Sequence, residues 1–207
     1  MTMTRIVSTT LLACLFATGN ARAYDSDLDP AFSDGTLRGW SKPYFDVGSY
    51  PSEHLAGMFR DANGRYLLVG KVCTSANCAT FDVGIVRLLG NGAFDTSYGT
   101  NGYVRAPQPL LANITAVTCD SHGRFVVVGP TTTSATADVD FGVLRLLPNG
   151  AYDPTFAYAP PPLGLGGGRT SIDFGLGGGG NDYPADVLTS AAAAGDYIYV
   201  VGQVSTT

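Results

Sequence analysis

The sequence predicts an all-β fold made of tandem repeats of about 58 residues. Three pairs of identical residues set this period, the members of each pair being 58 positions apart: Arg87 and Arg145, Gly92 and Gly150, and Asp95 and Asp153. The 27 glycines and 12 prolines are typical of a chain with many turns, and only one of the 17 acidic residues is a glutamate. Because a repeat of this size cannot bury its apolar face alone, we expect neighbouring units to stack.

The first recurring element is an Asp-x-x-Gly turn followed by an apolar strand. It occurs at 61–70 and returns at 120–129, and a third copy with one extra residue spans 195–202. The aspartate can accept hydrogen bonds from the backbone two residues on, and the glycine tolerates the positive φ of a tight turn. The apolar run that follows predicts a strand buried on both faces and closed by a glycine.

The second recurring element is a strand that carries an arginine and is followed by an Asn-Gly pair. The strand spans 84–89 in one copy and 142–147 in the next, and the Asn-Gly pairs occupy 91–92 and 149–150. Asn-Gly between apolar runs is a strong signal for a two-residue turn. We therefore predict a hairpin at each pair.

The third recurring element is a short box: an aromatic residue or leucine, an aspartate, two further residues and another aromatic residue. It occurs at 28–32, 94–98 and 152–156. Three copies of the box predict three repeat boundaries, so we expect units at about 28–93, 94–151 and 152–207, all within a domain at 24–207.

These three elements together resemble the delta-60 repeat family of bacterial exported proteins. The resemblance covers nearly all of residues 24–207 and implies propeller-like blades, with no catalytic residue to carry over. The third copy stops before the arginine-bearing strand, so the chain holds about two and a half to three units. Because propellers close with roughly four to eight blades, we expect either that the chain is truncated relative to the family or that another copy of itself, or further repeats, completes the sheet.

Residues 1–23 are predicted to be a signal peptide. Arg5 supplies the positive charge, an apolar segment follows, and Ala21 and Ala23 fit the small-x-small cleavage rule. This predicts a secreted or periplasmic protein. The alternative is a lipid anchor at the envelope, because Cys14 follows a Leu-Leu-Ala segment that resembles a bacterial lipobox. A membrane contact is expected only if Cys14 is acylated.

The charge balance argues against nucleic acid as a partner. Removal of Arg5 and Arg22 with the signal leaves 10 of the 12 basic residues against 17 acidic ones, a formal charge of −7. We expect an unknown protein or glycan ligand instead. Trp40, Tyr44 and Tyr50 offer either an aromatic carbohydrate platform or packing for the first unit.

The cysteines predict at most one disulfide in this domain. Cys73 and Cys78 are close enough to clamp the loop between two strands, which leaves Cys119 buried or free. The two histidines, His54 and His122, stand at spacings unrelated to those of the cysteines, so no zinc pattern is present.

The arginines of the repeat predict structural ion pairs. Arg87 and Arg145 lie in apolar strands, where a charge is costly unless it is paired. The expected partners are Asp82 or Asp95 for the first arginine, and Asp140 or Asp153 for the second. Since the pair recurs with each unit, we expect it to stabilise the fold rather than to act in catalysis.

The sequence predicts a binding or scaffolding role at the bacterial cell envelope, with no cofactor and no metal site. The alternative is an enzyme acting on a polysaccharide from the blade ends, and Glu53 with His54 is the best acid-base pair for it. The glycine-rich run at 175–183 resembles a calcium-binding nonapeptide, but a single copy favours a loop.

Overall fold

The structure, a computed structural model, describes residues 29, 31–33, 35, 39–43, 52–108, 110–132, 138–156, 167–174, 180–190 and 196–205. The predicted signal peptide with Cys14, as well as Tyr44 and Tyr50, lie outside these residues. Within them the chain is all-β without a helix, as predicted, and its strands form three antiparallel sheets. The described residues accordingly include no helix of the length and apolarity that a membrane crossing needs.

Each sheet is formed by strands that are consecutive in the chain. Sheet 1 consists of β1 (Glu53–Arg60), β2 (Tyr66–Cys73), β3 (Phe81–Leu88) and β4 (Tyr103–Pro107). Sheet 2 consists of β5 (Ala116–Cys119), β6 (Phe125–Thr131), β7 (Asp140–Leu146) and β8 (Arg169–Ile172). Sheet 3 pairs β9 (Asp182–Ser190) with β10 (Tyr197–Val204).

The Asp-x-x-Gly turns join the first two strands of sheets 1 and 2. Asp61 Oδ1 accepts hydrogen bonds from the backbone N–H groups of Asn63 and Arg65, both at 2.9 Å. In the second turn, Asp120 Oδ1 accepts hydrogen bonds from the backbone N–H groups of His122 and Arg124. The turn glycines, Gly64 and Gly123, both have a φ of 75°. The local chemistry read from the sequence therefore forms these hairpins.

The Asn-Gly pairs reverse the chain but do not start long hairpins. After each turn the chain makes a single antiparallel bridge, between Leu88 and Phe94 in one copy and between Leu146 and Tyr152 in the other. The aspartate of the box then begins a second turn, in which the Tyr98 N–H donates to the Asp95 carbonyl at 2.9 Å. This second turn redirects the chain towards β4, so the predicted hairpin is limited to one bridge.

The fourth strand of each complete sheet comes from beyond the predicted unit boundary. β4 follows the boundary at 93/94 and pairs with β3, while β8 follows the boundary at 151/152 and pairs with β7. The sequence box therefore lies inside a sheet, and each four-stranded sheet contains strands from both sides of a predicted unit boundary.

The core lies between the sheets, which pack face to face. Leu67, Val69 and Ile85 of sheet 1 contact a layer of sheet 2 that includes Phe125 and Val127. The opposite face of sheet 2 packs on sheet 3, through Val126, Val128 and Val143 on one side and Val187, Ile198 and Val200 on the other. Sheet 2 is thus covered on both faces, and no sheet within the described residues closes into a ring.

A glycine in the second strand of every sheet allows close contact with a neighbouring segment. A Cβ atom at Gly129 would lie 1.8 Å from the carbonyl oxygen of Asn113. At Gly70 and Gly202 the corresponding distances to carbonyl oxygens of neighbouring strands are both 2.2 Å. Since real Cβ contacts are far longer, only glycine fits at these positions.

Candidate functional site

The repeat arginine of sheet 1 is held by the aspartate of the box. Arg87 Nε donates to Asp95 Oδ2 at 2.9 Å, and the guanidinium lies over the Tyr98 ring, 4.3 Å from its centroid. Ser97 donates to Asp95 Oδ1 through both its backbone N–H and its hydroxyl. The hydrogen bond from the Ser97 hydroxyl is the main cause that lowers the pKa of Asp95.

Sheet 2 repeats this arrangement with different side chains. Arg145 Nε donates to Asp153 Oδ2 at 2.8 Å, and the guanidinium lies 4.6 Å from the centroid of the Phe156 ring. Burial acts to raise the pKa of Asp153, but hydrogen bonds from Thr155 and the charge of Arg145 outweigh it and lower that pKa. Of the two alternative partners expected for each arginine, the structure brings Asp95 and Asp153 to it.

A second arginine joins each pair, and sequence reasoning missed it. Arg65 Nε donates to Asp61 Oδ2 at 2.7 Å, and its Nη1 lies 3.8 Å from Asp95 Oδ2. In sheet 2, Arg124 Nε donates to Asp120 Oδ2 at 2.5 Å, and its Nη1 lies 3.8 Å from Asp153 Oδ2. The signal for this contact was present in the sequence, because an arginine follows the turn glycine in both copies.

The Asp-x-x-Gly turns of sheets 1 and 2 border a cleft of about 720 Å³. One side is formed by Asp61 and the residues beside it, and the other by 119–123 with Pro148. The acidic groups that line this cleft are Asp61 and Asp120, and each accepts a hydrogen bond from an arginine. Burial acts to raise the pKa of Asp61, but hydrogen bonds from Arg65 and Asn63 and the charge of Arg65 outweigh it and lower that pKa, so Asp61 is a poor general acid.

His122 lies at the edge of this cleft, in a group of three polar side chains. Its Nδ1 is 2.8 Å from Asp196 Oδ2, and the Ser121 hydroxyl donates to Asp196 Oδ1 at 2.8 Å. The same Nδ1 is the ring nitrogen that lies 3.2 Å from the Ser121 hydroxyl. A histidine that activates a serine uses one nitrogen for the serine and the other for the carboxylate, so this group lacks the geometry of a catalytic triad.

Asp120, His122 and Asp196 also have ligand atoms close enough to hold a metal ion. Arg124 donates to both carboxylates, at 2.5 Å to Asp120 and 3.1 Å to Asp196. The guanidinium therefore takes the place that a cation needs, and this cluster is a hydrogen-bonded corner between sheets 2 and 3.

Glu53 and His54 are not brought together as an acid-base pair. They are consecutive residues of β1, and consecutive side chains of a strand point to opposite faces of the sheet. His54 is exposed and lies opposite Lys71, whereas Glu53 lies opposite Val72. The sequence placed the two residues side by side, but the pleat separates their side chains.

Cys73 and Cys78 form a disulfide across the loop between β2 and β3. Cys119 is a free, half-buried thiol. Burial, with smaller contributions from the charges of Asp120 and Asp61, raises the pKa of Cys119 from 9.0 to about 11. A thiol that is protonated at neutral pH is a weak nucleophile.

We expect Cys119 to react slowly with thiol reagents in the folded protein. Two pKa units lower the thiolate fraction at pH 8 roughly a hundredfold, so the reaction with a coloured aromatic disulfide should be slowed by about that factor. The reaction rate of the native chain is compared with that of the same chain in urea, where the thiol is exposed. Equal rates in the two conditions would contradict this account.

Sheet 3 presents a largely apolar outer face, which we call the sheet 3 face. Its apolar side chains are between 46 and 55% exposed: Tyr183, Leu188, Tyr197, Tyr199 and Val201. The exposed Asp186 lies opposite Val201 on the same face. The Tyr197 and Tyr199 rings lie next to each other, with centroids 6.3 Å apart. An apolar face of this kind is typical of a contact surface.

Residues 175–179 of the predicted glycine-rich run lie outside the described residues.

Comparisons with known proteins identify no relative of this chain. The resemblance to the delta-60 repeat family stays a prediction made from the recurring residues. No protein-family model matches the chain, and neither a curated protein nor a solved structure matches it.

Proposed function

We propose that the chain is an exported β-repeat protein with a binding or scaffolding role at the bacterial cell envelope. Export is supported by the predicted signal peptide at 1–23 and by the disulfide between Cys73 and Cys78, since disulfides persist in oxidising compartments. A scaffolding role is supported by stacked sheets, since sheet 3 exposes an apolar face within the described residues. The sheet 3 face is the observation that carries the proposal.

The equivalent positions in sheet 2 indicate what should cover the sheet 3 face. When the strands are aligned on their closing glycines, Tyr199 and Val201 correspond to Val126 and Val128 of sheet 2. Those two valines are fully buried under sheet 3, whereas Tyr199 is 49% and Val201 55% exposed. The same position in the repeat is therefore covered in sheet 2 and open in sheet 3. A further sheet of the same kind fits this face.

A second copy of this chain supplies such a sheet. In sheet 1, Leu68 and Val86 correspond to the residues with which sheet 2 covers sheet 1, and they line a groove of about 220 Å³ together with Pro43, Glu53 and Leu55. Leu55 and Met58, both residues of β1, are 59 and 62% exposed. The sheet 3 face of one copy therefore fits the groove of sheet 1 in the next, a head-to-tail contact of the kind that closes propeller-like rings.

The proposal predicts that the purified chain associates and that a charge in the sheet 3 face prevents this. The test is sedimentation velocity of the exported chain over a range of concentrations, compared with Tyr199→Asp and Val201→Asp. We expect the mass of the wild-type particle to rise with concentration and both variants to stay monomeric, because a buried unpaired carboxylate is costly.

The matched control is Leu89→Asp, which introduces the same charge at an exposed leucine outside the sheet 3 face. It should associate like the wild type. A chain that stays monomeric at every concentration, or a Tyr199→Asp variant that associates normally, would overturn the contact between copies.

The location is tested separately, by the intact mass of the protein isolated from the envelope and the culture fluid of its own cells. A mass matching residues 24–207 supports ordinary secretion, whereas acylation at Cys14 supports the lipid-anchored alternative. Recovery of the uncleaved chain from the cytoplasm would overturn export.

A further inference from the structure

Three aspartates converge where sheet 2 meets sheet 3. Asp140 is the first residue of β7, Asp173 follows β8, and Asp182 is the first residue of β9. One carboxylate oxygen of each lies within 4.8 Å of those of the other two. Asp140 and Asp182 are both only 2% exposed, so two of the three charges are removed from water.

Asp140 has an oxygen atom without a partner in this group. Its Oδ1 is buried and accepts no hydrogen bond. A buried carboxylate oxygen without a partner is costly, and the cost rises when other carboxylates surround it. Two more carboxylates, those of Asp173 and Asp182, lie beside it and add negative charge.

The equivalent position in sheet 1 has that positive charge. Asp82 is 58 residues before Asp140, at the same place in the repeat, and it is paired with Arg105 of β4. Arg105 lies opposite Gly84 in the sheet. In sheet 2 the residue opposite the equivalent glycine, Gly142, is Ser171.

The cation of β8 does not replace the missing guanidinium. Arg169 lies opposite Leu144, further along the strand, and its guanidinium is 4.8 Å from the centroid of the Tyr152 ring. Beside Asp140 lie instead the carboxylates of Asp173, which follows β8, and of Asp182 in sheet 3. The substitution of a cation by anions around a buried carboxylate points to a bound cation.

We propose that a calcium ion binds between Asp140, Asp173 and Asp182, in the place that Arg105 takes beside Asp82. The three side chains offer only carboxylate oxygens, which hard cations prefer, and Ca²⁺ accepts irregular sets of oxygen ligands that Mg²⁺ does not. Because the three aspartates belong to the ends of β7, β8 and β9, the ion fastens sheet 3 to sheet 2.

The test uses the full exported chain, freed of metal with a chelator and then dialysed. Calcium chloride is added during isothermal titration calorimetry and during thermal unfolding. At calcium concentrations about a hundred times the dissociation constant, we expect Tm to rise by roughly 5 to 10 °C. Sodium chloride of the same ionic strength should leave Tm unchanged.

Three variants make the test specific to this cluster. Asp140→Asn should lose the calcium response, whereas Asp82→Asn, the matched change in sheet 1, should keep it. Ser171→Arg covers the case in which Asp140→Asn does not fold. It supplies the guanidinium that sheet 1 has, so it should raise Tm in chelator and abolish the calcium response.

The absence of both heat and a Tm shift in the wild-type chain would overturn the proposal. It would also be overturned if Asp140→Asn and Ser171→Arg responded to calcium as the wild type does. A calcium response that is lost in Asp140→Asn or Ser171→Arg and kept in Asp82→Asn supports it.

Discussion

Arg145→Leu should lower the free energy of unfolding by about 3 kcal/mol, at the lower end of the range for breaking a buried ion pair. The variant leaves Asp153, whose side chain is 2% exposed, without its closest cation. Arg124 remains 3.8 Å away and offsets part of the loss. For a chain of this size, 3 kcal/mol corresponds to a fall in Tm of roughly 6 to 12 °C. Thermal unfolding followed by circular dichroism measures it.

Arg87→Leu is the parallel variant in sheet 1. Its effect should be smaller, because the side chains of Arg87 and Asp95 are 16 and 8% exposed, against 12 and 2% for the pair in sheet 2. Arg60→Leu is the control, since Arg60 is an exposed residue over the Tyr66 ring. An arginine variant with unchanged Tm and altered ligand binding would contradict the structural role.

Gly129→Ala should also cost about 3 kcal/mol, because the added Cβ would lie 1.8 Å from a backbone carbonyl oxygen. The backbone around Asn113 cannot move away without disturbing Ile114, which is part of the core between sheets 1 and 2. A fall in the urea concentration at the midpoint of unfolding, with an unchanged slope, is the expected result.

Gly90→Ala is the matched control for this variant. Its Cβ would meet only the carbonyl oxygen of Gly64, at 3.2 Å, in an exposed turn. Gly70→Ala should behave like Gly129→Ala, since its Cβ would lie 2.2 Å from the His54 carbonyl oxygen. Equal midpoints for Gly90→Ala and Gly129→Ala would show that close backbone contact is not what requires glycine at this position.

The parts of the fold that the sequence predicts are those that short-range chemistry determines. Asp61 and Asp120 bond backbone groups two and four residues on, so a pattern of five residues is enough to indicate each turn. The pairing of Arg87 with Asp95 spans eight residues and recurs in the next unit. Because both residues recur at the same spacing in the second copy, their pairing could be predicted without knowing how the strands are arranged.

The contacts that the sequence does not reveal depend on sheet register and stacking. Asp196 reaches His122 across 74 residues because sheet 3 lies on sheet 2. Arg105 faces Asp82, and Ser171 takes the equivalent place, only because β4 and β8 pair in a particular register. A shift of one residue would exchange the faces of these strands and remove both relations.

The order of the sheets along the chain bears on how the protein can form as it is made. Each sheet is complete before the chain enters the next one, and each new sheet covers the exposed side of its predecessor. A polypeptide that emerges from its N-terminus can therefore assemble one layer at a time, without waiting for distant segments. The sheet formed last always has an uncovered apolar face. Every intermediate on this route therefore exposes apolar surface that can associate with other chains.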